Sequence, residues 1–118
     1  MICFLYVSCR SNDFDIDNKH LIVRGKDGPI RCLEIKNTAS DSLEYYEILN
    51  TNNTDKRVEV SIVNPPDGYV ITNWHGDTLS YITLKERNRY AITNRSVRDA
   101  SAITRIVTVA ENGISRAK

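Results

Sequence analysis

No apolar run in this sequence approaches the ~20 residues that a membrane-spanning helix needs, so no such helix is expected from it. Net charge is nearly absent as well. Sixteen Lys and Arg against fifteen Asp and Glu leave +1, which generates no field able to hold a polyanion over the whole surface. Residues 1–59 balance at −2 and residues 60–118 at +3, a modest asymmetry, whereas nucleic-acid binders cluster Lys and Arg beside stacking aromatics. A nucleic-acid partner is therefore not expected. Metal-ligating residues are scarce: Cys3, Cys9 and Cys32 have no CxxC spacing, and His20 and His75 stand at neither helical nor turn spacing from them, so no metal site is expected. Also missing are a Gly-Ser-Gly nucleophile elbow, a Walker phosphate loop and a dinucleotide fingerprint, which leaves neither a cofactor nor an enzymatic activity indicated.

What is present is alternation. At 118 residues, with 41% hydrophobic and 26% charged side chains, the chain has the size and composition of one globular domain. In "RVEVSIV", Val58, Val60 and Ile62 fall on one side and Arg57, Glu59 and Ser61 on the other, the period of two that marks a half-buried strand. "HLIVRG" and "PIRCLEIKN" flank "KDG", whose Asp-Gly reads as a hairpin turn. "LEYYEIL" has apolar residues at both parities and reads as a strand by its neighbours, and "YVITNW", "LSYITLK", "RYAIT" and "ITRIVTVA" follow. "NPPDG" breaks the chain after Val63, since two prolines cannot donate to a ladder. "NTNNTDK" reads as an exposed loop. Short strands punctuated by turns, without a sustained helical period, predict an all-β sandwich or barrel, the expectation taken here being an antiparallel sandwich of about seven to nine strands.

The beginning of the chain has two readings. "ICFLYV" is rich in β-branched and aromatic residues and suits a first strand. Alternatively, "MICFLYVSC" followed by the polar "RSNDFDIDNK" resembles the tail of a bacterial lipoprotein signal, which implies lipid attachment at Cys9. Val7 and Ser8 suit such a cleavage box, Tyr6 sits where Leu is usual, and the positively charged start is missing. The organisation expected is thus a signal remnant and polar tether over residues 1–19, or a first strand there, and a sandwich domain over 20–118.

"LKERNRY" places Leu84 and Tyr90 five residues apart across a charged turn. This spacing resembles the tyrosine corner of immunoglobulin-like and fibronectin type III sandwiches. The resemblance implies an immunoglobulin-like sandwich in which Leu84 and Tyr90 are structural, the ring filling the core edge and its hydroxyl bonding back to the loop. The loop lacks the Pro and Gly common in fibronectin modules. Cys9, the polar spacer, "IRCLEI" around Cys32 and the Tyr90 region together are similar to small bacterial periplasmic lipoproteins assigned as type VI secretion immunity proteins. That similarity implies a periplasmic or envelope location, a membrane association only through a lipid, and a toxin as the protein partner.

Several constellations have plainer readings. Asp13, Asp15 and Asp17 in "DFDID" open like a calcium loop, but Asn18 stands where Gly is needed and Arg24 where a bidentate acid is needed, so a solvated acidic tether is the better reading. His75 with Asp77 is the one base candidate, on a turn tip that suits recognition at least as well. Arg87, Arg89, Arg95, Arg98 and Arg105 together suggest a basic face, and Asn52 and Asn94 lie in glycosylation sequons. The functional expectation is a non-enzymatic protein-binding module contacting its partner through Tyr69, Trp74, His75, Arg87 and Arg89, since aromatics and Arg dominate interface energetics. The competing expectation is an adhesion or carbohydrate-binding module using Trp74 and the tyrosines as stacking platforms.

Overall fold

The computed structural model describes residues 10–52 and 56–110, and Cys9 and the segment 2–7 lie outside them. The described chain is all-β and sandwich-like, with no helix. Its strands are β1 (Phe14–Asp17), β2 (Ile22–Gly25), β3 (Cys32–Asn37), β4 (Tyr45–Asn50), β5 (Glu59–Ser61), β6 (Tyr69–Asn73), β7 (Thr78–Leu79), β8 (Arg89–Asn94) and β9 (Ile103–Thr108). One sheet has the order β1-β2-β5 and the other β7-β6-β4-β3-β8-β9, with every pairing antiparallel.

Alternation decides which face each strand buries. On the larger sheet, Ile71, Ile48 and Leu33 form one cross-strand row, and Tyr46, Ile35 and Ile92 form the next. All of these are buried, and they meet Phe14, Val23 and Val60 from the smaller sheet and Ile62 just beyond β5. Each fully buried aliphatic or aromatic side chain contributes on the order of 1.5–3 kcal/mol. "YYEI" resolves in the same way: Tyr46 and Ile48 point inward, while Tyr45 and Glu47 are half-exposed on the outer face.

Three local expectations are corrected. "DFDID" is not a tether, because Phe14 is fully buried and β1 pairs with β2 from Phe14↔Gly25 to Asp17↔Ile22. Its acids are used locally: Asp13 holds the Arg105 guanidinium at 2.6 Å, and Asp17 Oδ1 accepts the Lys19 amide at 2.8 Å to shape the β1–β2 turn. The sandwich therefore begins before residue 20. "KDG" is not a hairpin either, since β2 pairs with β1 and β5 while β3 belongs to the other sheet. This segment carries the chain between the sheets; a Cβ on Gly25 would collide with the Gly28 carbonyl oxygen, and the Asp27 carboxylate accepts the Ser11 amide and hydroxyl at 2.8 and 2.7 Å. Finally, "LSYITLK" is strand only at its first residue, Leu79, which ends β7. Beyond it, Ile82 and Leu84 are buried from an irregular segment that Ile82 N–H anchors to the Val63 carbonyl at 2.9 Å.

Asn12 fastens the entering chain. Its side-chain amide donates to the carbonyls of Val97, Ala100 and Ser101, and its side-chain oxygen accepts the Val97 amide. Asn94, buried beside it, donates to the Asn12 carbonyl at 3.0 Å and accepts from Ser96. The carboxamide of that sequon is thus spent inside the fold.

Candidate functional site

Three connections converge at one end of the sandwich: the β3–β4 loop (38–44), the β6–β7 turn (74–77) and the β7–β8 connection (80–88). Between them opens a groove of about 430 Å³ lined by Leu43, Glu44, Trp74, Lys85 and Asn88, among others. Its rim carries two exposed apolar side chains, Leu43 79% and Trp74 40% accessible, beside the exposed Asp41 and Lys85.

The floor is a buried carboxylate. Glu44, 3% exposed, sits at the inward parity shared by Tyr46 and Ile48, so the sheet itself carries it into the core edge. It accepts the Tyr90 hydroxyl at 2.9 Å and the Asn37 amide at 3.0 Å on one oxygen, and the Tyr46 hydroxyl at 2.8 Å on the other. Lys85 Nζ lies 4.0 Å away. Asn37 also donates to Asn88 Oδ1 at 2.8 Å, and the Asn88 amide donates to the Glu86 carbonyl, so the polar floor is bonded throughout. Tyr90 is fully buried, and its hydroxyl accepts the Lys85 amide at 2.9 Å, which ties the β7–β8 connection to the same cluster.

The turn that presents Trp74 is equally fixed. Asn73 Oδ1 accepts the amides of His75 and Asp77, both at 2.9 Å, and Gly76 adopts φ +83°, a conformation open to glycine without strain. The Trp74 ring packs edge-on against Tyr46 at 5.7 Å between centroids, and His75 lies against it at 4.9 Å. The His75 and Asp77 side chains make no hydrogen bond to each other, so the base–acid pairing considered from sequence is not formed.

The remaining expected contacts are distributed differently. Tyr69 lies at the far end of β6, half-buried, with its hydroxyl donating to the Ile30 carbonyl at 2.5 Å. Arg87 and Arg89 are exposed beside Asn88 without lining the groove; Arg87 has φ +65° and its amide donates to the Val109 carbonyl. The wider basic face is broken, because Arg105 turns inward onto the Phe14 carbonyl and Asp13 while Arg95 pairs with Glu34 at 2.8 Å. Sequence reasoning missed Leu43 and Glu44. An acid at the inward parity of β4 and a leucine in the turn-rich "NTASDSLE" were the available signals.

Burial raises the pKa of both floor tyrosines, and the Glu44 carboxylate adds to the effect in each; for Tyr90 the Lys85 amide opposes it. Cys32 is pushed up to about 11 by burial, then by Glu47 and Glu34, which keeps it a protonated, unreactive thiol at neutral pH. Because the folded-state values lie above the unfolded ones, the unfolded chain loses these protons first as pH rises. The contribution of the two floor tyrosines is therefore fully present below about pH 10 and falls above it by about 2–3 kcal/mol per pH unit, while that of Cys32 is lost from about pH 9. Urea unfolding between pH 8 and about 11 checks this, and Tyr46→Phe with Tyr90→Phe should remove about half of the slope, the rest coming from Tyr45, which burial pushes up to about 12, and from Cys32.

No known protein family, curated protein or solved structure matches this chain.

Proposed function

We propose that the chain is a non-enzymatic binding protein whose Leu43–Trp74 end docks onto another protein. The observation that carries this reading is an exposed apolar pair standing on a sealed floor. Leu43 and Trp74 offer uncovered apolar surface, while Glu44, Asn37, Asn88 and the two tyrosine hydroxyls bond among themselves. A sugar site needs polar side chains with donors and acceptors left for hydroxyls, whereas a protein hot spot needs a rigid aromatic or aliphatic anchor. The committed floor favours the protein over the carbohydrate. Arg87 and Arg89 flank this end and act on encounter rather than as anchors.

The finer reading is an immunoglobulin-like module of the periplasm or cell envelope, lipid-anchored at Cys9, that neutralises a toxin by covering its active or insertion surface. Two features support the immunoglobulin-like part: the β4-β3-β8-β9 order opposite β1-β2, and the Tyr90 hydroxyl bonded to the Lys85 amide. Co-expression with the product of the adjacent gene, with pull-down and survival as readouts, tests the proposal. Trp74→Ala combined with Leu43→Ala should weaken the complex by about 100-fold or more and remove protection, as loss of a hot spot does. Arg87→Ala should change affinity far less and mainly slow association. Retained complex and protection in the double variant would discredit this end as the contact surface.

A further inference from the structure

Sheet edges expose unpaired backbone groups, and proteins blunt them with short strands, charge, proline or covering segments. Among the described residues, this chain blunts three of its four edges. β7 is only two residues long, β1 carries Asp15 and Asp17 and gives its Phe14 carbonyl to Arg105, and β5 is three residues long and runs on to a segment covered by Ile82 and then Pro65 and Pro66. β9 is different: six residues, "ITRIVT", with no proline or glycine and a single charge, Arg105, turned inward.

The hydrogen-bond parity fixes which groups this edge offers. The Arg89 carbonyl accepts from Thr38 and the Arg95 amide donates to Cys32, so the odd-numbered residues of β8 face β3 and the even-numbered ones face β9. Tyr90, Ile92 and Asn94 therefore pair with Val107, Arg105 and Ile103, and the amide and carbonyl of Thr104, Ile106 and Thr108 point away from the sheet. No described residue bonds to them from that side. Ile106 is also 48% exposed on the outer face.

We infer that β9 is a self-pairing edge, joining two copies of the chain through antiparallel β9–β9 contact centred on Ile106. This strand is complementary to itself in one register. With Ile106 opposite its own copy, Thr104 falls opposite Thr108, and every outward amide and carbonyl of the three residues meets a partner. On the outer face this sets isoleucine against isoleucine and threonine against threonine, both favourable cross-strand pairs. On the inner face Arg105 falls opposite Val107. Slipping by one pairing step toward the start of the strand would instead put Arg105 opposite Arg105 and leave Thr108 without a strand partner, and slipping toward the end would leave Thr104 without one, so like charge and lost pairing favour the first register. A net charge of +1 adds little repulsion between copies.

A contact built on one strand is smaller than the ~1,200 Å² of standard interfaces, so the association is expected in the micromolar to millimolar range. Sedimentation from about 10 μM to about 1 mM, with amide exchange measured at both ends, reads that range directly. The wild type should move from 13.4 kDa toward twice that mass, with exchange at Thr104, Ile106 and Thr108 slowing about tenfold or more at the higher concentration. Ile106→Pro removes only an amide that points away from β8, and Ile106→Lys changes only a half-exposed side chain; both should remain monomeric and folded. The Lys variant keeps the test informative should the proline one fail to fold. A wild type that stays monomeric, a dimer that persists in Ile106→Lys, or edge amides equally protected at both concentrations would overturn the inference, the last by showing that the chain covers its own edge.

Discussion

Replacing Glu44 with alanine should destabilise the fold by about 2–4 kcal/mol, because two buried tyrosine hydroxyls lose their acceptor at once and each stranded donor costs about 1–3 kcal/mol. Part of that loss is offset, since the variant no longer buries a carboxylate whose nearest cation, Lys85 Nζ, stands 4.0 Å away. Glu44→Gln should cost less, about 1–2 kcal/mol, because the hydroxyl of Tyr46 can rotate to accept from the new amide. Urea unfolding of the two variants beside Tyr90→Phe measures the order. The consequence reaches past stability: Tyr90 carries the Lys85 amide and Tyr46 carries the edge of Trp74, so the Ala variant should also loosen the connections that frame the groove. Faster exchange of the Lys85 amide in Glu44→Ala is the local sign to look for.

The second large effect is expected at Phe14. Its ring is fully buried between the sheets and lies 5.4 Å beneath the Arg105 guanidinium, whose Nε donates to the Phe14 carbonyl at 2.6 Å. Phe14→Ala should cost about 3–5 kcal/mol, the range for removing a core aromatic and leaving a cavity. Against a domain stability of about 5–15 kcal/mol, that shifts the urea midpoint by a large fraction. A change under about 1 kcal/mol would mean that "DFDID" is a tether after all, since a solvated segment contributes nothing to the core.

These two sites also show what the sequence made legible. β3, β5 and β8 were readable because apolar and polar residues alternate along them, and period two is a local property, whereas β4 read as a strand only from its neighbours. Which strands pair is not local, and the same pattern serves either sheet, so "KDG" carried a hairpin signal at a place where the chain crosses between layers. β1 was hidden by its acids. Asp13 is matched by Arg105, 92 residues away, and no local rule connects the two. Within the groove, Trp74 announced itself as an aromatic on a turn, while Glu44 required asking why an acid occupied an inward position. Tyr69 looked equally available, but its hydroxyl is taken by the Ile30 carbonyl across the fold.

The loop end is proposed to recognise a protein through an apolar pair held rigid from below. Its most direct test is calorimetric titration of the adjacent gene's product into the wild type and into Leu43→Ala/Trp74→Ala, with urea unfolding of the same preparations. Affinity should fall by about 100-fold or more while stability falls by no more than about 1–2 kcal/mol, because Leu43 is exposed and Trp74 gives up only its edge contact with Tyr46. Unchanged affinity, or a loss matched by unfolding of the variant, would contradict it.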